Sequence, residues 1–330
     1  MPAALLSSTV LLPTLRARVA STRDLAPGIR QLEFVAMDDA LLPEWTPGAH
    51  LDVHLPSGSI RQYSLCSDPH DLRSYRIAVL NVPDGRGGSA EVHQGIHAGA
   101  ELTLGVPRNQ FPLRDAAAYV FVAGGIGITP ILAMVRAAAR LGKPWKLVYG
   151  ARSDSQFVFL EELTALASAS WGIVECVAQD TAGHIDLAGL VAASGGQAVY
   201  CCGPGSLMTA LGDEMRVAGR EQDLTIERFT ASPTAEVAAG SAGSFTVELS
   251  LSGSSVSVQP GQSILEALRA AGIDAPSSCE MGICGTCETS VLSGEIDHRD
   301  ALLTDAERAS GDTMLICVSR AAGDTIVLDR

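Results

Sequence analysis

At 330 residues, 47% hydrophobic and 18% charged, the chain is long enough for two or three domains with full cores and is not a disordered sequence. Its formal net charge of −14 excludes a nucleic-acid-binding surface, which needs clustered basic residues. Residues 244–330 hold 5 Lys and Arg against 13 Asp and Glu, a net −8, whereas the much longer 1–243 stretch carries a net −6. So dense an acidic field serves either solubility or steering toward a basic protein partner. Eight cysteines, several in tight local motifs, point to a reducing compartment, the cytoplasm, rather than to a disulfide framework.

The opening segment MPAALLSSTVLLPTLRAR lacks the basic start of a signal peptide. Residues 10–112 read as β structure. Short alternating runs at 31–35 and 50–54 are separated by turn signals at Pro27-Gly28, Pro47-Gly48 and Ser57-Gly58. Strands at this pitch predict a closed barrel. Within it, Arg61, Gln62, Tyr63 and Ser64 join a guanidinium suited to phosphate with an aromatic stacking face. Gly85, Arg86, Gly87, Gly88 and Ser89 then precede a helical stretch, where Ser89 is expected to cap the helix and leave N–H groups for a phosphate.

From about residue 116 the rhythm changes. Strands are predicted at 117–123, 145–150, 172–178 and 198–202, with helices at 130–141, 157–168 and 205–218, which argues for a parallel sheet covered by helices. Residues 116–135 carry no charge and are long enough to span a membrane, but Gly124, Gly125, Gly127 and Pro130 break the run. Strand, glycine turn and helix fit it better, and no membrane segment is expected. Thr129 is expected to cap that helix, with Pro130 in its first turn. The turn is not G-x-G-x-x-G, yet a second loop of the same kind, Cys202, Gly203 and Pro204, also ends a strand and opens a helix. Two such loops would line one crevice at the carboxyl ends of parallel strands.

Beyond a small-residue linker, residues 245–249 and 255–258 alternate as strands and 262–271 reads as a helix. Next come Cys279, Cys284 and Cys287, spaced C-x4-C-x2-C, with Cys317 thirty positions further on. This is the spacing of a plant-type [2Fe-2S] cluster. Gly282 and Gly285 permit the wrapped backbone such a loop needs. A four-cysteine zinc site would show two C-x2-C knuckles, and a redox dithiol would leave Cys279 and Cys317 unexplained. The seven histidines have no ligand spacing and read as structural.

Taken in order, these motifs, together with residues 107–113, resemble the phthalate dioxygenase reductase family, which includes vanillate O-demethylase reductase subunits. The family lies within the ferredoxin–NADP reductase superfamily and carries a fused C-terminal ferredoxin domain. The resemblance implies an antiparallel β-barrel flavin domain (10–114), an α/β parallel-sheet NADH domain (115–231), a linker (232–243) and an α+β ferredoxin domain of β-grasp type (244–330). It implies FMN at Arg61, Gln62, Tyr63, Ser64, Ala78, Val79, Leu80, Gly87, Gly88 and Ser89, with Phe229 over the flavin. It implies NADH at Gly125, Thr129, Arg152, Ser153, Cys202, Gly203, Pro204 and Met208. Arg152 also suits a 2′-phosphate, so NADPH stays open. Cys279, Cys284, Cys287 and Cys317 would ligate the cluster, and no acid–base catalytic residue is required.

The implied function is electron transfer from NADH through FMN and the cluster to a terminal oxygenase of Rieske type, docked on the acidic ferredoxin domain of a monomer. A plant-type cluster near about −400 mV and a Rieske cluster at about −150 mV or above differ by roughly 250 mV. At about 59 mV per decade that gap favours transfer by about four decades. A cytochrome P450 or other haem acceptor is the alternative partner. A passive electron carrier or redox sensor is a third reading, which the paired nucleotide loops oppose.

Overall fold

The computed structural model describes residues 13–38, 40–230 and 243–330. The expected linker lies, apart from Gly243, outside the described residues, as do residues 10–12 of the expected barrel domain. The described residues form two compact bodies, 13–227 and 228–330.

The first body opens with six antiparallel strands: β1 (Thr14–Ala26), β2 (Ile29–Ala36), β3 (His50–His54), β4 (Ile60–Ser64), β5 (Tyr75–Leu80) and, after helix α1 (Gly88–Gly95), β6 (Glu101–Gly105). Their order is β4-β3-β6-β1-β2-β5. Alternate residues of β2 turn inward, so Leu32 and Phe34 meet Val19, Leu51, Tyr75 and Ile77 in a core without solvent contact. The sheet curls until its end strands, β4 and β5, lie beside each other, but no hydrogen-bonded ladder joins them among the described residues. The barrel expected from the strand pitch thus closes by approach and leaves a seam. Arg61 to Ser64 stand on one side of that seam, and Ala78 to Leu80 on the other.

A parallel sheet follows, ordered β11-β10-β7-β8-β9. Its elements are β7 (Tyr119–Gly124), α2 (Ile128–Arg140), β8 (Trp145–Ala151), α3 (Leu160–Ser168), β9 (Gly172–Ala178), α4 (Gln179–Ala182), α5 (Leu187–Ala193), β10 (Ala198–Cys202), α6 (Gly205–Val217) and β11 (Leu224–Glu227). All of β7 is buried, as a strand covered on both faces must be. Val120 and Val122 pack with Leu190 and Leu211 from α5 and α6. The uncharged 116–135 run is therefore β7, a turn and the first part of α2, and no helix among the described residues is long and apolar enough to cross a membrane.

Helix α2 ties sheet to barrel. Its Ala133 enters the barrel core. Its buried Arg136 donates to the carbonyl oxygens of Cys66 (2.7 Å) and Ser67 (2.6 Å) and pairs with Glu162 on α3, which also pairs with Arg76 of β5 at 2.9 Å.

The second body is a five-stranded mixed sheet ordered β13-β12-β18-β14-β16, plus a small ribbon of β15 and β17. Its elements are β12 (Phe245–Leu249), β13 (Ser254–Val258), α7 (Ile264–Ala270), β14 (Glu288–Ser293), β15 (Ile296–Asp297), α8 (Asp305–Ser310), β16 (Thr313–Leu315), β17 (Arg320–Ala321) and β18 (Thr325–Leu328). Both helices start with capping boxes, Ser263 with Glu266 and Thr304 with Glu307, in which side chains satisfy the first free N–H groups. Residues 279–287 run as an irregular loop between α7 and β14.

Candidate functional site

The loop between α7 and β14 wraps tightly. Glu280, Gly282 and Gly285 all have positive φ, at 54°, 71° and 73°. This folds the chain back on itself and encloses Cys279, Cys284, Cys287 and Cys317, each at most 8% exposed. The thiols meet in pairs, Cys279 with Cys284 and Cys287 with Cys317. A hydrogen bond from Cys279 holds the Cys284 thiol below its ordinary value, and one from Cys317 lowers Cys287. Backbone N–H groups point at the sulfurs: Met281 at Cys279 (3.3 Å), Ile283 also at Cys279, and Gly282 at Cys317. Buried sulfurs with N–H donors are the surroundings a thiolate needs. Among the described residues no three His, Cys, Asp or Glu gather round one ion position. A two-and-two arrangement suits a pair of irons and does not suit one zinc.

In the first body, the seam between β4 and β5 holds a second set of groups. Arg61 donates to the carbonyl oxygens of Arg86 (2.8 Å) and Ile60 (2.9 Å), which lays its side chain over the start of α1. A Cβ at Gly88 would stand 2.4 Å from Arg61 Nε, so only glycine admits this placement. Gly87, at φ 80°, opens the helix with no side-chain cap. Ser89 does not cap it as the sequence predicts, because its Oγ accepts the Val82 N–H at 3.0 Å. A guanidinium beside uncapped helix N–H groups fits a phosphate. Tyr63 lies part-buried on the strand with Arg61, and burial pushes its phenol up to about 12.

Four of the expected residues have side chains placed apart from the seam and the loops, or lie in the other body. The Gln62 side chain bonds Asp52 at 3.1 Å, in a network with Arg108. Val79 belongs to the barrel core, although its neighbours Ala78 and Leu80 border the seam. Met208, on α6, is buried beneath the sheet with Val120 and Val199. Phe229 belongs to the other body, just past β11.

The two glycine loops lie side by side, because β7 and β10 are neighbours with Cys202 opposite Ala123. The loops touch backbone to backbone. A Cβ at Gly127 would sit 2.2 Å from the Cys202 carbonyl oxygen, and one at Gly203 would sit 2.9 Å from Gly124 Cα. Gly125, at φ 54°, has open space where a Cβ would project. Thr129 lies inside α2 and donates to the Ile126 carbonyl at 3.0 Å, so it does not cap the helix as expected; Gly127 stands at the cap. Arg152 and Ser153 follow β8 at the same edge of the sheet.

The sequence reading gave no role to the group that joins seam and crevice. Glu227 ends β11 directly opposite Cys202. Its Oε2 lies 3.4 Å from Ser64 Oγ and 4.0 Å from Cys202 Sγ. Burial raises this carboxyl to about 8, against the opposing Ser64 hydrogen bond, so it is largely protonated at neutral pH. Burial likewise pushes the Cys202 thiol well up. The one signal in the sequence is an acidic residue closing an otherwise uncharged strand.

Family models agree with this layout: a 2Fe-2S iron-sulfur cluster binding domain matches residues 247–322, and an oxidoreductase NAD-binding domain matches 121–212. The chain is 41% identical to a vanillate O-demethylase oxidoreductase of a Pseudomonas species, covering 94% of this chain and 98% of that one. It is 38% identical to the solved phthalate dioxygenase reductase, described as a modular structure for electron transfer from pyridine nucleotides to [2Fe-2S], with a TM-score of 0.72 over 96% of this chain and 98% of that one. An intact type IV self-sufficient cytochrome P450 monooxygenase is 39% identical with a TM-score of 0.84; the match covers 96% of this chain but only 41% of that one.

The raised Glu227 carboxyl has a consequence for stability. Between its ordinary 4.5 and about 8 the folded state binds the extra proton, so the stabilisation is full below 4.5 and is lost as pH rises through about 8. Urea unfolding of Glu227→Gln and the parent from pH 5 to 9 should show the variant gaining up to about 1.4 kcal/mol per pH unit across that window. A difference that stays constant with pH would contradict the assignment.

Proposed function

We propose that this chain, which belongs to the phthalate dioxygenase reductase family, works as the reductase component of a terminal oxygenase. It is an NADH-dependent flavin and iron–sulfur oxidoreductase. When bound, FMN supplies a two-electron acceptor for hydride and the [2Fe-2S] cluster a one-electron exit.

The observation that carries this reading is the Glu227 carboxyl, shared between Ser64 at the barrel seam and Cys202 at the nucleotide crevice. It brings the flavin side and the nicotinamide side to one point. Arg61 and the Gly87-Gly88-Ser89 turn hold the FMN phosphate, Tyr63 packs on the ring, and Ala78 and Leu80 border it. Gln62 and Val79 serve through their backbone, since their side chains are engaged elsewhere. Gly125 and Gly203 let the dinucleotide reach the backbone, Thr129 and Pro204 shape the two helix starts, and Arg152 and Ser153 meet the ribose end. A neutral Glu227 puts no negative charge beside an incoming dinucleotide. Met208 supports α6 from beneath. Cys279 with Cys284, and Cys287 with Cys317, hold the irons, and their N–H partners offset the charge.

The partner is a Rieske-type oxygenase that docks on the acidic second body. The net −8 of residues 244–330 supports this. A haem acceptor is the second reading, favoured by the likeness to a cytochrome P450 monooxygenase chain.

Cys284→Ala should keep NADH-driven ferricyanide reduction within about two-fold while losing more than about ten-fold of its transfer to a one-electron protein acceptor. Equal loss of both activities would contradict the order of the relay. Turnover with the oxygenase should fall steeply as salt rises from 50 to 300 mM, a range over which the screening length shortens from about 14 to 6 Å. A flat profile would reduce the acidic field to a solubility feature.

A further inference from the structure

Asp300 is a carboxylate whose side chain has no contact with solvent. Such a group must be held by donors. Its Oδ2 accepts the backbone N–H of Leu302 (3.1 Å) and of Leu303 (2.8 Å). Arg308 stands 3.5 Å from the same oxygen and donates to the Asp300 carbonyl at 2.7 Å. His298 Nδ1 lies 3.5 Å from Oδ1. The carboxylate thus pins a turn over residues 300–303.

That turn braces the cysteine loop at one peptide. The Ala301 N–H donates to the Gly282 carbonyl at 2.9 Å. A Cβ at Gly282 would stand 3.0 Å from Asp300 Cα and 2.6 Å from Val318 Cγ2, so the two backbones fit only with glycine there. The Gly282 carbonyl shares a planar trans peptide with the Ile283 N–H, so the two point in opposite directions. Holding the carbonyl therefore aims the Ile283 N–H, which points at Cys279 Sγ. The Gly282 N–H, on the preceding peptide, points at Cys317 Sγ. One residue from each thiol pair is served.

We propose that Asp300 is a positioning residue for the iron–sulfur centre: by pinning the 300–303 turn against Gly282 it aims the Ile283 N–H at a cysteine sulfur and thereby tunes the reduction potential. The proposal rests on the reading above that the four cysteines hold a [2Fe-2S] cluster. N–H donors to sulfur stabilise the more negative reduced state, so weakening them lowers the potential. The role belongs to the acceptor oxygen and not to the buried charge, because the chain from Oδ2 to the sulfurs runs through backbone geometry.

The test is a mediator titration of holoprotein followed by the EPR signal of the reduced cluster, on the parent and on Asp300→Ala, Asp300→Asn and Asp300→Ser. Iron content establishes loading in each. A parent that binds no cluster would sink the function proposed above, separately from this inference. At a fixed solution potential the reduced-to-oxidised ratio of Asp300→Ala should fall about ten-fold, equivalent to about 59 mV for one electron. Asp300→Asn keeps an acceptor oxygen and should stay within about two-fold of the parent. Asp300→Ser, with one hydroxyl acceptor, should fall between the two. If Asp300→Ala fails to load, the Ser-against-Asn comparison decides. Parent-like potentials in every loaded variant would overturn the proposal, and so would a shift in Asp300→Asn as large as in Asp300→Ser or Asp300→Ala.

Discussion

Gly127 meets the Cys202 carbonyl with no room for a side chain, and the larger body is arranged around that contact. It requires β7 and β10 to be neighbours and sets where the turn after β7 ends. Helix α2 begins at that turn, and its direction carries Ala133 into the barrel core and Arg136 onto the Cys66 and Ser67 carbonyls. Those carbonyls directly follow β4, the strand that bears Arg61, Tyr63 and Ser64. A backbone contact between the two glycine loops therefore reaches β4 through one helix and one buried arginine. Hydride transfer depends on orientation, and a rigid connection of this kind supplies it.

Three sets of polar groups inside the protein are balanced locally. Glu227 keeps its proton. The cysteine sulfurs accept backbone N–H groups. Asp300 collects two amides and stands beside a guanidinium. Each balance differs: a neutral acid between Ser64 and Cys202, and N–H donors beside the cysteine sulfurs.

Four strands and three helices of the parallel sheet were legible because their apolar runs and glycine turns are local signals; β9 and β10 fall where the pattern puts them, whereas α4, α5 and β11 had no predicted counterpart. The cysteine spacing was legible for the same reason. What escaped depends on the third dimension. Ser89 and Thr129 look like caps, but each cap lies two residues earlier, at Gly87, whose φ is positive, and at Gly127, where the Cys202 backbone leaves no room for a side chain. Gln62 and Met208 sit in the right segments, yet strand alternation turns Gln62 away from the core toward Asp52, and helix phase turns Met208 under the sheet. Glu227 escaped because its partners, Ser64 and Cys202, are 163 and 25 residues away along the chain. Asp300 escaped because its importance lies in a turn pressed on Gly282, which spacing does not reveal.

The proposed relay takes in the electron pair of one hydride at the crevice of the first body and releases its electrons singly from the cysteines of the second. Anaerobic addition of NADH to the holoprotein, followed together by flavin absorbance and low-temperature EPR, tests it most directly. Bleaching of the flavin accompanied by the EPR signal of a reduced [2Fe-2S] cluster is the predicted result. A bleached flavin with no cluster signal would contradict it.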